Sequence, residues 1–180
     1  NRRGGNKYTN NIIVYYPDFY KKHVKNNKKN IQGFRESFLK HINNNKYLKF
    51  FKSDLKKFNG KSIAIYLTSW QFNENAIKIL NKINCDINIL KPHPHIKDDL
   101  NKHNFDLIIN GQIPAEILIN DLEKIAKKIV IVSEHSSATV YFSNQKKIEI
   151  INISPLSFSP NANYTSYINA YEGLTNYLKK

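Results

Sequence analysis

The chain has 180 residues, 41% of them hydrophobic and 12% aromatic, which fits one domain with a sizeable core and argues for a globular fold rather than disorder. No apolar run approaches about eighteen residues, which excludes a transmembrane helix, and the single cysteine, Cys85, excludes an internal disulfide and any cysteine-based zinc site. The net charge of +14 is uneven, because residues 1–60 hold 15 of the 28 Lys and Arg but only 3 of the 14 Asp and Glu.

Residues 1–10 are polar, contain Gly4-Gly5 and read as a linker or tail. The chain opens NRRGG and has no Met, so the expectation is a processed piece or a domain of a longer protein; no signal peptide is visible. Ile12-Ile13-Val14-Tyr15-Tyr16 predicts a strand that Pro17 ends. Over residues 31–58, Phe34, Phe38, Leu39 and Ile42 recur among lysines and predict one or two amphipathic helices, broken near Asn43-Asn44-Asn45. From Gly60 the pattern sharpens: SIAIYL at Ser62–Leu67 predicts a buried strand, 76–83 a helix, 87–90 a strand and 98–103 a short helix. Then 107–109 predicts a strand, 114–127 a helix with Pro114 in its first turn, and 129–132 a strand. Residues 136–142 predict a helix, 148–153 a strand and 164–178 a closing helix, and no internal repeat is visible.

Strands alternate with helices, and the strands are continuous apolar runs. Both features indicate an α/β fold with a mostly parallel, Rossmann-like sheet covered on both faces. The division expected is a basic N-terminal segment over 1–58, with a strand and helices, and a Rossmann-like domain over 59–180. In such open sheets ligands bind beyond the carboxyl ends of the strands, so the loops after strands are where chemistry is sought.

Three strand tips carry it. After SIAIYL comes Thr68-Ser69-Trp70-Gln71-Phe72-Asn73-Glu74-Asn75, in which Glu74 is either a helix-capping carboxylate or a general base. The second tip is Lys91-Pro92-His93-Pro94-His95. Lys91 supplies a cation, His93 can donate a ring proton to a phosphate oxygen, and the prolines restrict the backbone on both sides. A His-rich surface turn is the plainer reading, and a zinc site at His93 and His95 lacks an obvious third ligand. The third tip is Ser133-Glu134-His135-Ser136-Ser137, where serine hydroxyls at a helix start either cap the helix or bind an anion. No Gly-x-Ser-x-Gly elbow accompanies them, which counts against a hydrolytic triad. No Gly-rich dinucleotide loop and no GxxxxGK[ST] is present, which disfavours NAD and P-loop chemistry.

Taken with Ile113-Pro114-Ala115-Glu116, the Lys91-Pro92-His93-Pro94 and Ser136-Ser137 stretches resemble the bacterial lipooligosaccharide and capsule sialyltransferases. Glycosyltransferase family fifty-two is the nearest in pattern, with the polysialyltransferases more distant, and the resemblance spans roughly residues 62–142. It implies the nucleotide-binding half of a GT-B glycosyltransferase and inverting transfer of sialic acid from CMP-sialic acid to a terminal galactoside, without metal or other cofactor. By resemblance, Glu74 deprotonates the acceptor, His93 protonates or stabilises the departing CMP phosphate, and Ser136 and Ser137 bind that phosphate. Lys91 and Pro92 lie with Glu116 around the cytidine, and Glu116 accepts from ribose hydroxyls. The family's acidic motif reads Asn73-Glu74-Asn75 here, without its first acid and its glycine, which leaves a degenerate, non-catalytic half-domain as another reading.

The implied partners are the nucleotide-sugar donor and a glycan or glycolipid acceptor. The acceptor-binding half is then absent or supplied by a partner chain, a homodimer included. The implied location is the bacterial cytoplasm, peripheral at the inner face of the membrane, where the basic first third docks on anionic lipid. Lysines and asparagines of an AT-rich coding style explain the same charge as mere solvated surface. A CDP-glycerol polyol-phosphate transferase is the rival enzyme and a basic nucleic-acid-binding module the rival from another class. Arginine occurs only at Arg2, Arg3 and Arg35, and the charge lies away from the three tips, which argues against specific nucleic-acid binding.

Overall fold

The computed structural model describes residues 11–14, 17–23, 30–33, 55–97, 99–101, 103–134, 136–143 and 145–153. The chain forms two compact units, 1–46 and 47–180. In the first, strand β1 (Asn11–Val14) and strand β2 (Asn30–Gly33) pair in parallel, with helix α1 (Pro17–His23) between them in the chain. The strand expected over 12–16 is present as far as Val14, its last two residues lie outside the described residues, and Pro17 opens a helix that the sequence does not predict. Its fixed φ suits the first helical turn, where its missing N–H costs nothing, and Asp18 complements the dipole there. The helix expected from residue 31 onward is corrected at its start, because residues 31–33 are strand. The interval 34–54 and the closing helix at 164–178 lie outside the described residues.

Among the described residues of the second unit the first element is a short 3-10 helix, η1 (Leu55–Phe58), where the sequence predicts the end of an amphipathic helix. Gly60, at a φ of +71°, turns the chain into the sheet; a side chain there would be strained. Five strands follow among the described residues: β3 (Ser62–Leu67), β4 (Ile87–Lys91), β5 (Leu107–Ile108), β6 (Lys128–Ser133) and β7 (Ile148–Asn152). They lie in the order β5-β4-β3-β6-β7, and every pair is parallel. The α/β class and Rossmann-like arrangement expected from the alternation of elements are therefore present.

This order decides where a ligand can sit. The chain steps outward from β3 to β4 and β5, then returns to start β6 on the other side of β3. Right-handed crossovers running in opposite directions place their helices on opposite faces and leave a crevice between β3 and β6 at the carboxyl edge. Helix α2 (Glu74–Leu80) covers one face, where Ala76 and Leu80 pack with Ala64, Tyr66, Leu90 and Val132. Helix α3 (Ala115–Ile125) buries Ile117, Leu118, Ile119 and Leu122, none of which belongs to that cluster, and packs on β6 and η1. Side chains alternate along a strand, so Ile63 and Ile65 face away from the α2 side, and both are fully buried.

The predicted helix at 98–103 is not formed by the described residues of that stretch. Asp99 Oδ1 instead accepts the N–H of Asn101 at 3.0 Å, a local side-chain bond that competes with a helical turn. Leu100 is nonetheless buried, so the apolar periodicity reported packing and not helicity. Tyr66 illustrates how the core reaches the carboxyl edge. Its ring is fully buried against Phe72, and its hydroxyl accepts the backbone N–H of Asn73 at 2.9 Å, just before α2. Burial holds the phenol well above its usual pKa, so it stays protonated. Tyr66→Phe is expected to remove that bond and cost about 0.5–1.5 kcal/mol in denaturant unfolding, with α2 loosened at its start.

Candidate functional site

A cleft of about 240 Å³ opens at the carboxyl edge of the sheet. Its lining comes from the ends of four strands: Leu67 and Thr68 after β3, Lys91 to Pro94 after β4, Gly111 to Glu116 after β5, and Ser136 and Ser137 after β6. Lys91, Pro92, His93, Glu116, Ser136 and Ser137, all singled out in the sequence, thus line one cavity. Glu74 does not. It is exposed, begins α2 after the β3 tip, and lies outside the cleft lining.

Lys91 is the last residue of β4 and only 5% exposed. Its ammonium donates to the carbonyls of Pro92 at 2.6 Å and Gly111 at 3.0 Å. An ammonium has three donors, so these two bonds leave one for a ligand. Burial lowers its pKa from 10.5 to about 8, and the negative charge of Glu116 opposes that fall. The carbonyl of Gly111 belongs to a turn shaped by Asn110, whose side chain accepts from Gln112 N at 2.9 Å. A Cβ on Gly111 would stand 3.4 Å from the His93 carbonyl oxygen and 3.5 Å from the Pro92 carbonyl oxygen, which is ordinary contact. Gly111→Ala is therefore expected to keep anion binding. Gly111→Val, which branches from that crowded point, is expected to displace the 92–94 strap and weaken binding, as read by titration calorimetry with CMP.

His93 is fixed from two sides. Its N–H donates to Thr68 Oγ1 at 2.7 Å, and Thr68 N donates to the Lys91 carbonyl at 3.2 Å, so the β3 and β4 tips are stitched together. Its Nδ1 accepts the N–H of His95 at 3.3 Å. The neutral ring then carries its proton on Nε2 and can donate there. Partial burial, with His95 and Lys91 nearby, lowers its pKa below 6.5.

Ser136 precedes helix α4 (Ser137–Phe142). Its hydroxyl accepts the Ala138 N–H at 3.3 Å, so the capping role weighed in the sequence is real, and its O–H proton remains available to donate. Ser137 Oγ donates to Glu116 Oε1 at 3.1 Å, which joins the β6 tip to the first turn of α3 across the cleft. Pro114 sits at the N-cap position of α3 without a side-chain cap, so Glu116 in the first turn meets the dipole end of that helix.

Two participants, Thr68 and Gly111, are not nominated by the sequence, and Glu134 is weighed there only beside the serines for a hydrolytic triad. Thr68 and Gly111 act only through bonds to residues more than nineteen positions away. Glu134, buried at the end of β6, accepts from Asn73 Nδ2 at 2.8 Å and so ties the start of α2 to the β6 tip. Its hydrophilic type after an apolar strand is the one signal that marks it. Among the described residues no group of three His, Cys, Asp or Glu side chains is placed to hold a metal ion, and no helix is long and apolar enough to cross a membrane. Comparison with protein-family models gives no match for this chain, and comparison with curated proteins gives none either.

Proposed function

We propose that the cleft binds the phosphate of a CMP-activated sugar and that the chain is an inverting glycosyltransferase of the sialyltransferase kind. The observation that carries this is the gathering of Lys91, His93, Glu116, Ser136 and Ser137 from three strand tips into one cleft. A cation, an Nε2–H donor and hydroxyls facing one small cavity suit a phosphate ester held by side chains instead of a glycine-rich loop. Glu116 is the acceptor in the set and fits a ribose hydroxyl. The choice of cytidine and of sialic acid rests on the motif resemblance.

In the reaction proposed, the acceptor oxygen forms a bond to the anomeric carbon while the bond from that carbon to the phosphate oxygen breaks. The electron pair leaves with CMP, whose phosphate takes a hydrogen bond or proton from His93 and charge from Lys91. The acceptor's proton passes to a carboxylate, which the resemblance assigns to Glu74. Glu74 stands outside the cleft, so this assignment requires the acceptor to approach from beyond the cavity rim. Thermal unfolding with CMP, CDP and UMP, followed by turnover of CMP-sialic acid with a galactoside, tests the reading. Preference for CMP with release of CMP on turnover is expected; stabilisation by none of the three overturns it.

A further inference from the structure

Trp70 is the only tryptophan in the sequence, and among the described residues it is the one exposed large hydrophobic side chain, at 72%. A single exposed ring is ordinary on a protein surface; what marks this one is the company it keeps beside the cleft. The ring is not loose. It stacks on His93 with centroids 5.5 Å apart and on His95 at 5.1 Å, and the two imidazoles lie 5.2 Å apart. All three planes are within 27° of one another. The bonds that stitch Thr68 to Lys91 and His93 hold the two loops that carry these rings.

We propose that Trp70, His93 and His95 form a stacking platform for the terminal pyranose of the acceptor, an inference that rests on the transferase reading above. Aromatic faces carry negative charge density and attract the polarised C–H bonds on the apolar face of a pyranose. The ring nitrogens of His95 at the same place offer hydrogen-bond partners to its hydroxyls, those of His93 being taken by the His95 N–H and the phosphate. His93 is shared, since it lines the cleft and belongs to the stack. A sugar on the platform therefore lies beside a phosphate in the cleft, which is the juxtaposition that transfer requires. A nucleobase would also stack on such rings, but the nucleotide is assigned to the cleft, where Glu116 can meet its ribose.

The emission of Trp70 reports on the platform directly. The full chain, saturated with CMP, is titrated with methyl β-galactoside. A saturable blue shift is expected, with saturation transfer from protein to the C–H protons of the sugar. Trp70→Phe retains that transfer, and Trp70→Ala weakens the galactoside by about tenfold, the scale of one aromatic contact. Trp70 is exposed, so neither variant threatens the fold. CMP stabilisation without any response of Trp70 to galactoside overturns the platform and leaves the donor reading standing. A response of Trp70 to cytidine in place of galactoside overturns it as an acceptor subsite. Absence of both CMP binding and galactoside binding overturns platform and transferase together.

Discussion

His93→Ala is expected to abolish stabilisation by CMP and to lower transfer by about a hundred- to ten-thousandfold, the range for loss of a positioned proton donor. In the wild type, CMP at about a hundred times its dissociation constant should add about 2.7 kcal/mol, and the variant should show none of it. The fold should survive, because the bond from residue 93 to Thr68 uses the backbone N–H, which alanine retains. The imidazole's own role has a pH signature. Burial, His95 and Lys91 hold its pKa below 6.5, so the free ring is neutral at pH 7. A bound phosphate favours the imidazolium, so binding takes up a proton and CMP affinity rises as pH falls through the range in which His93 titrates. Folding has the opposite sign. Its depressed pKa means the unfolded chain binds the proton more readily, so the contribution of His93 to stability is present above pH 6.5 and is lost as pH falls. CMP should therefore stabilise the wild type most at mildly acidic pH, where the free protein is weakening, and the alanine variant should lack this dependence. A CMP response identical in both proteins would remove His93 from the site.

The core strands were legible because they are buried on both faces. Continuous runs such as SIAIYL and KIVIVS are short and rich in β-branched residues, which favours a buried strand over a buried helix, and the observed bounds of β3, β4, β6 and β7 fall within a residue or so of those expected. Among the described residues of 98–103 the expected helix is absent for a local reason, the capture of a backbone N–H by Asp99. The site was legible only as separate strand tips. Which tips adjoin depends on strand order, and no periodicity encodes the placement of β6 beside β3. Thus the sequence could nominate Lys91, His93 and Ser137, yet it could not show that Lys91 is tethered to Gly111 or Ser137 to Glu116, because those bonds span twenty and twenty-one positions. Glu74 is the reverse case. Its place on the chain matched an acidic motif, while its place in space, on an exposed helix start, keeps it out of the cleft.

Lys91→Met is expected to weaken CMP by about ten- to a hundredfold, the worth of one charge-assisted hydrogen bond, while preserving the volume at the end of β4. The test that separates this from a packing defect is again pH. Burial lowers the Lys91 pKa from 10.5 to about 8, and the charge of Glu116 works against that shift. An anion in the cleft needs the charged form, so wild-type affinity for CMP should decline above pH about 8, whereas the weak residual affinity of the methionine variant should not change there. Stability should move the other way. Between pH about 8 and 10.5 the folded chain has released this proton and the unfolded chain still holds it, so unfolding must take it up. The unfolded state binds more protons in that window, and the folding stability contributed by position 91 therefore rises with pH across it. Below the window, the buried charge is present in the folded state at its full desolvation cost. Denaturant unfolding of both proteins from pH 7 to 10.5 should show the wild type gaining on Lys91→Met as pH climbs. Parallel curves would mean that the ammonium is solvated as freely as in the unfolded chain, and Lys91 would then be no better placed for an anion than any surface lysine. A Glu116→Gln background sharpens the result: without its opposing carboxylate, the Lys91 amine should lose its proton at still lower pH, and the loss of CMP affinity should begin earlier.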